Sequence, residues 1–241
     1  MSTDSNWLLN DKHNGVKSPE FFADLQRVER GEPLAYVIGW IPFLHTKIYL
    51  DSKPLIPRPE TEYWVSLAIK EIIDSGVTNP KVLDLCAGSG CIGVGIAKAI
   101  PAANIHFAEL IDDHHQTIRK NIRENDIDTS RTKQFGGDLF EHVTEKYDFI
   151  LSNPPYINPE LSDRVEEGVT AHEPDTALWG GAGGMEIIER IILEAPKYLS
   201  PGGLLYIEHE PEQARHIAEL CQNALSYEDQ FGVIRSSIIK F

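Results

Sequence analysis

The sequence predicts a doubly wound α/β fold with a seven-stranded sheet whose last strand is antiparallel, and three observations predict it. From Lys81 onward, short β-branched runs alternate with helical patterns, as consecutive βαβ units require. The first run, "KVLDL", passes into the glycine turn "CAGSG" and then into a helix, the usual opening of such a sheet. The last two runs, near "YEDQF" and at "VIRSSIIKF", share only a short glycine-containing link, so they pair as a hairpin.

The elements follow in order. Residues 1–14 are polar and read as a loose terminus. In "SPEFFADLQRVERGEP", Ser18 is an N-cap and Pro19 the first helical residue. Phe21, Phe22, Leu25 and Val28 follow at near-helical spacing, and Gly31 ends a short amphipathic helix. Residues 1–34 are thus a small helical segment. "AYVIGWIPFLHTKIYL", residues 35–50, is rich in β-branched and aromatic residues and reads as a hairpin, within a connector spanning 35–55. The main domain, 56–241, opens with "LIPRPETE" and a helix capped by Thr61, with Trp64, Val65, Ala68, Ile69, Ile72 and Ile73 on one face. Its strands are "KVLDL", "NIHFAEL", "RTKQFG", "YDFILS", "GGLLYIEHE", a piece near "YEDQF" and "VIRSSIIKF". Its helices run over about 91–100, 112–124, 185–199 and 212–224.

At 241 residues, one domain with an appendage is expected. With 41% hydrophobic and 24% charged residues the composition is that of a soluble globular protein. No apolar run approaches membrane-spanning length and "MSTDSNWLLNDKHNG" lacks the regions of a signal peptide, so a cytoplasmic protein is expected. Cys86, Cys91 and Cys221 form no C-x-x-C pattern, and His114 and His115 cannot both face one ion from a helix, so no metal site is expected. A formal charge of −15 repels phosphate backbones and disfavours direct nucleic-acid binding, while a basic protein partner remains attractive. A monomer is expected.

Four features fall at successive strand ends. Gly88 and Gly90 let the backbone approach a ligand, with Asp84 just before them. Glu109 ends the second strand about twenty residues beyond the turn, where an acidic side chain can accept both hydroxyls of a ribose. In "GGDLF", Asp138 can accept from an adenine amino group and Leu139 can cover its ring. After the fourth strand comes "NPPY": the prolines fix φ and remove two backbone donors, making a rigid platform between an amide and a flat ring. Each has an ordinary reading by itself: a glycine-rich turn, a solvated charge, an Asp cap, a plain turn after a strand. Together they occupy the one edge of the sheet where this architecture binds ligands.

These residues, with "GEPLAYVIGW", "LIPRPETE", Asn121, "GDLF", "NPPYI" and "HEPDTALWGGAGGMEIIERII", resemble the bacterial N5-glutamine methyltransferases of peptide chain release factors over nearly the whole chain. The resemblance implies a class I S-adenosylmethionine-dependent methyltransferase that transfers a methyl group to the side-chain amide nitrogen of a release-factor glutamine, leaving S-adenosylhomocysteine. It implies that Cys86, Ala87, Gly88, Ser89 and Gly90 wrap the cofactor, with Glu109 on the ribose, Asp138 and Leu139 by the adenine, and Asn153 at the methyl. It further implies that Asn153, Pro154, Pro155 and Tyr156 receive the glutamine, Asn153, Pro154 and Tyr156 acting in catalysis, and that the N-terminal helix around Phe21, Phe22 and Leu25 contacts the body of the partner. The family usually carries glycine and threonine where this chain has Cys86 and Ala87, commonly Asp at Glu109, and glycine at Glu210.

Two acceptors, the Asn153 side-chain oxygen and the Pro154 carbonyl, would hold the two hydrogens of a planar amide, whose nitrogen is a poor nucleophile; geometry then supplies most of the acceleration. Three other readings use the same residues. A ribosomal-protein glutamine is a second protein substrate. An adenine amino-methyltransferase would need to bind phosphates and unstack its base, which the acidic composition disfavours. A cofactor-binding protein without activity is a third, against which the intact "NPPY" argues.

Overall fold

The computed structural model describes residues 3–241. The N-terminal segment forms α1 (Thr3–Trp7), a wide helical turn over Leu8–Lys12, α2 (Pro19–Glu29) and α3 (Leu34–Ile38). Residues 3–12, expected to be loose, are helical because Leu8 is buried with Phe21 and Val37 in a small core and the Lys12 ammonium donates to the Val37 carbonyl at 2.6 Å; Met1 and Ser2 of that stretch lie outside the described residues. Helix α2 starts as expected, the Ser18 hydroxyl accepting from the Phe21 amide. Phe21 is only 1% exposed and belongs to this core, whereas Phe22 beside it is 51% exposed.

The expected hairpin is shorter than its β-rich sequence. Residues 34–38 form α3, which buries Tyr36 and Val37 and stops at Gly39, whose left-handed backbone donates to Ala35. The hairpin proper is β1 (Trp40–Phe43) with β2 (Thr46–Tyr49). Helix α4 (Pro59–Asp74) starts at a proline in its first turn rather than at a Thr61 cap. Thr61 lies inside that first turn and is buried, as are Trp64, Val65, Ala68 and Ile72, while Ile73 points to solvent.

The main domain then runs β3 (Lys81–Leu85), α5 (Cys91–Ala99), β4 (Asn104–Glu109), α6 (Asp112–Glu124), β5 (Thr132–Gly136) and β6 (Tyr147–Ser152). It continues through α7 (Glu167–His172), α8 (Asp175–Leu178), α9 (Glu186–Glu194), β7 (Leu199–Glu208), α10 (Ala214–Leu220), β8 (Ala224–Glu228) and β9 (Ile234–Lys240). The seven-stranded sheet has the order β5-β4-β3-β6-β7-β9-β8, with β9 inserted antiparallel between β7 and β8. The helix expected over 185–199 ends early, passing through a short turn at Ala195–Lys197 into β7, and that over 212–224 gives way to β8 at Ala224.

Alternate residues of the central strands feed opposite faces: Val82, Ile105 and Phe149 pack with α4, α5 and the hairpin, while Leu83, Leu85 and Ile150 pack with α9 and α10. Asn121 of α6, fully buried, joins three elements, accepting from the Tyr49 amide and donating to the Tyr49 and Ser89 carbonyls. Among the described residues no helix is long and apolar enough to cross a membrane, and no group of three or more His, Cys, Asp or Glu side chains is placed to hold a metal ion.

Candidate active site

Strand order reverses between β3 and β6, and the register there aligns Leu85 with Ser152 and Ser152 with Ile207. Cys86, Asn153 and Glu208 therefore follow one another along the carboxyl edge, at the switch point where such sheets bind ligands. The Ser152 hydroxyl donates to the Leu85 carbonyl at 2.8 Å and ties the two strand ends together.

Beneath the glycine turn, buried Asp84 accepts from the Gly93 amide at 2.8 Å and anchors the start of α5. Its other oxygen has no hydrogen-bond partner among the described residues, and burial pushes the carboxyl well above the usual carboxylate range. Cys86 adopts φ +61°, in the left-handed region that glycine occupies without strain. Burial, with the Glu109 charge, pushes its thiol up to about 12, so it stays protonated. Glu109 accepts from the Gly88 amide at 2.7 Å through one oxygen and from the Ile111 amide at 2.8 Å through the other. These bonds fix the carboxylate while each oxygen keeps a further lone pair.

A cavity of about 220 Å³ opens above this turn. Cys86, Ala87, Gly88, Ser89, Glu109, Asp138, Leu139, Asn153 and Pro155 all line it. Gly90 is not among the lining residues; a Cβ there would meet Ile118 and Phe107 at 3.2–3.3 Å. The Asp138 carboxylate is partly engaged, accepting from Arg190 at 2.7 Å. His114, weighed from the sequence only as a metal ligand, also lines the cavity, with Nδ1 2.9 Å from the Ser52 hydroxyl. The set suits S-adenosylmethionine: a carboxylate for vicinal hydroxyls, apolar side chains for a base and, among the described residues that line it, no lysine or arginine to repel a sulfonium.

A second cavity of about 730 Å³ is bordered by Asn153, Pro154, Tyr156, Arg58, Glu173 and Glu208. Asn153 borders both. The "NPPY" turn is clamped from several directions. The Gln213 amide donates to the Tyr156 carbonyl at 2.7 Å, Ile157 donates to Leu178, and Gly180 donates back to Ile157. "LIPRPETE" and "HEPDTAL" meet through one carboxylate: Glu173 accepts from the Ile56 amide at 3.0 Å and forms an ion pair with Arg58. Glu210 accepts from Arg235 at 2.6 Å and caps the turn Pro211–Gln213, which gives it a local role at the position where glycine is usual.

Glu208, Thr61 and Trp64 were not anticipated as residues of the site either. Buried Glu208 receives the Thr61 hydroxyl at 2.7 Å and the Trp64 indole at 2.6 Å on Oε2, and the Tyr156 hydroxyl at 2.9 Å on Oε1. Thr61 in turn accepts from the Asn153 amide at 3.2 Å. Burial raises the Glu208 carboxyl against these three hydrogen bonds, and burial together with the Glu208 charge raises the Tyr156 phenol well above its ordinary value. The signal available in the sequence was an acid within the apolar run "LLYIEHE", but placing it beside Asn153 requires the pairing of β6 with β7.

A family model described as methyltransferase small domain matches residues 67–170. Among curated proteins, the release factor glutamine methyltransferase of Streptococcus pneumoniae is 32% identical over 244 residues, covering 98% of this chain and 85% of that protein. The release factor glutamine methyltransferase of Aliivibrio fischeri is 35% identical, covering 83% of this chain and 70% of that protein. Among solved structures, a T. thermophilus 16S rRNA methyltransferase in complex with AdoMet and guanosine superposes with a TM-score of 0.59 at 16% identity, over 83% of this chain and 49% of that one. The N-terminal domain of human METTL16 in complex with SAH superposes with a TM-score of 0.54 at 17% identity, over 82% and 76%. At such identities these two likenesses show the fold alone.

Proposed function

The chain belongs to the release factor glutamine methyltransferases, and from that premise we propose that its two cavities divide the reaction, cofactor on one side of Asn153 and substrate on the other. The protein is an S-adenosylmethionine-dependent enzyme that methylates the side-chain amide nitrogen of a release-factor glutamine. The observation that carries the division of labour is that Asn153 borders both cavities.

Bound S-adenosylmethionine supplies an activated methyl group on a sulfonium. On this reading the turn from Cys86 to Gly90 holds it, Glu109 accepts from its ribose hydroxyls, and Asp138 and Leu139 face its adenine. The glutamine side chain enters from the second cavity between Pro154, Pro155 and Tyr156. The Asn153 Oδ1 and the Pro154 carbonyl accept its two amide hydrogens, and the prolines hold both acceptors still, which orients the nitrogen and favours the positive charge it develops. The methylated nitrogen releases a proton to water, so the chain need supply no strong base.

A glutamine on a mobile loop suits entry into a cavity, and the exposed Phe22 and Trp7 of the N-terminal segment offer a contact for the partner's body. The net charge of −15 favours a protein partner over a phosphate backbone, and we place the enzyme in the cytoplasm as a monomer. Incubation with labelled S-adenosylmethionine and separate release factors, ribosomal proteins and DNA tests the substrate. Label on the release-factor glutamine is expected, and label on either other substrate alone would overturn the assignment. Phe22→Ala should raise KM for a whole release factor and not for a short glutamine peptide; equal effects would make the helix a structural element only.

A further inference from the structure

The mechanism above leaves Glu208 without a task, although it is only 1% exposed and linked to Asn153 through a single side chain. We propose that Glu208 is a positioning residue for methyl transfer, which through Thr61 sets which end of the Asn153 amide faces the substrate. This rests on Asn153 accepting from the glutamine amide. An asparagine amide carries an acceptor at one end and two donors at the other, so a half-turn about its last bond would replace the required oxygen by an NH2 group.

The direction of the chain of hydrogen bonds is set at its far end. The Trp64 indole can only donate, and it lies 2.6 Å from Glu208 Oε2. As a carboxylate Glu208 has no hydrogen to give, so this oxygen accepts from both of its neighbours. The Thr61 hydroxyl, 2.7 Å from the same Oε2, must give its hydrogen there. Its oxygen is left to accept from Asn153 at 3.2 Å, which holds Nδ2 toward Thr61 and turns Oδ1 away from it. Thr61, like Glu208, is 1% exposed, so water does not compete for these bonds. The Tyr156 hydroxyl ties the same carboxyl to the turn that carries Asn153.

Steady-state kinetics with a release factor, together with calorimetry of cofactor binding, test the relay. Thr61→Val keeps the shape and removes the hydroxyl; because Thr61 also borders the first cavity, cofactor Kd is measured beside kcat, and kcat should fall about tenfold or more, well beyond any change in Kd, as loss of one hydrogen bond's worth of orientation implies. Thr61→Ser restores the hydroxyl and should return kcat to within about threefold. Glu208→Gln can place its carbonyl beside Trp64 and Thr61 and its NH2 beside Tyr156, keeping the direction, so it should lose far less than Glu208→Met. Parental kcat in Thr61→Val, alongside an impaired Asn153→Ala, overturns the relay while the role of Asn153 stands. Glu208→Gln as damaging as Glu208→Met also overturns it, because charge rather than direction would then matter. An unimpaired Asn153→Ala removes the reading on which the relay rests and the relay with it. Where the Glu208 variants fail to fold, the two Thr61 variants decide.

Discussion

Gly184 lies so close to the Tyr156 carbonyl that a Cβ added there would stand 2.1 Å from its oxygen, and its φ of +72° is in the left-handed region. Gly180 is similarly crowded, its Cβ position falling 2.7 Å from the Pro155 oxygen. Gly180 and Gly184 of "LWGGAGGM" thus form a backbone cradle for "NPPY". Gly184→Ala is expected to destabilise the fold by roughly 1–3 kcal/mol through overpacking and strain, and to lower kcat more than it weakens cofactor binding. Thermal unfolding and kinetics check this, and parental values in both would remove the cradle's role.

Cys86 carries its strained backbone in the lining of the first cavity. Cys86→Gly relieves about 1 kcal/mol of left-handed strain and removes bulk, so cofactor binding should tighten. Titration calorimetry reads the sign, and weaker binding would show that the thiol contributes a contact rather than an obstruction.

Glu109 holds the Gly88 and Ile111 amides and has lone pairs left for a ribose. Glu109→Ala should weaken S-adenosylmethionine binding by about 1.5–3 kcal/mol, the loss of charge-assisted hydrogen bonds. Unchanged affinity would take Glu109 out of the cofactor site.

The N-terminal segment is held by charge as well as by Leu8 and Phe21. Glu32 is lowered to about 2 chiefly by its hydrogen bond from Arg27. Burial raises Asp24, but hydrogen bonds from Lys12, Arg27 and His13 outweigh it, and the net direction is down. Carboxylates lowered in the folded state stabilise it above their unfolded pKa values, and this is lost as pH falls through the folded ones. Between about pH 4.5 and 2, α2 should lose amide-exchange protection before the central sheet does; Glu32→Gln should show the lower protection already at pH 6. Simultaneous loss in both regions at every pH would contradict it.

Much of the sheet was legible because its central strands are short, mostly apolar runs bounded by glycine and proline turns, and the site residues stood at their ends. What the sequence did not reveal was decided by packing. Residues 34–38 have β-forming composition yet form a helix, because Tyr36 and Val37 are buried there. Thr61 looked like a cap and is instead a buried link between Asn153 and Glu208. Phe21 and Phe22 are indistinguishable by type; Phe21 shares a helix face with Leu25 and Val28 and turns inward with them onto Leu8 and Val37. Glu208 and Asn153 are far apart in the chain and become neighbours only through strand order.

The central claim is that the Asn153 amide orients the glutamine nitrogen during methyl transfer, and kcat of Asn153→Ala, measured beside its cofactor affinity, tests it most directly. The account predicts normal folding, largely intact S-adenosylmethionine binding and a kcat lower by roughly 10²-fold to 10³-fold, as for loss of one preorganised hydrogen-bonding group. A variant that folds, binds S-adenosylmethionine and methylates the release-factor glutamine at the parental rate would contradict it.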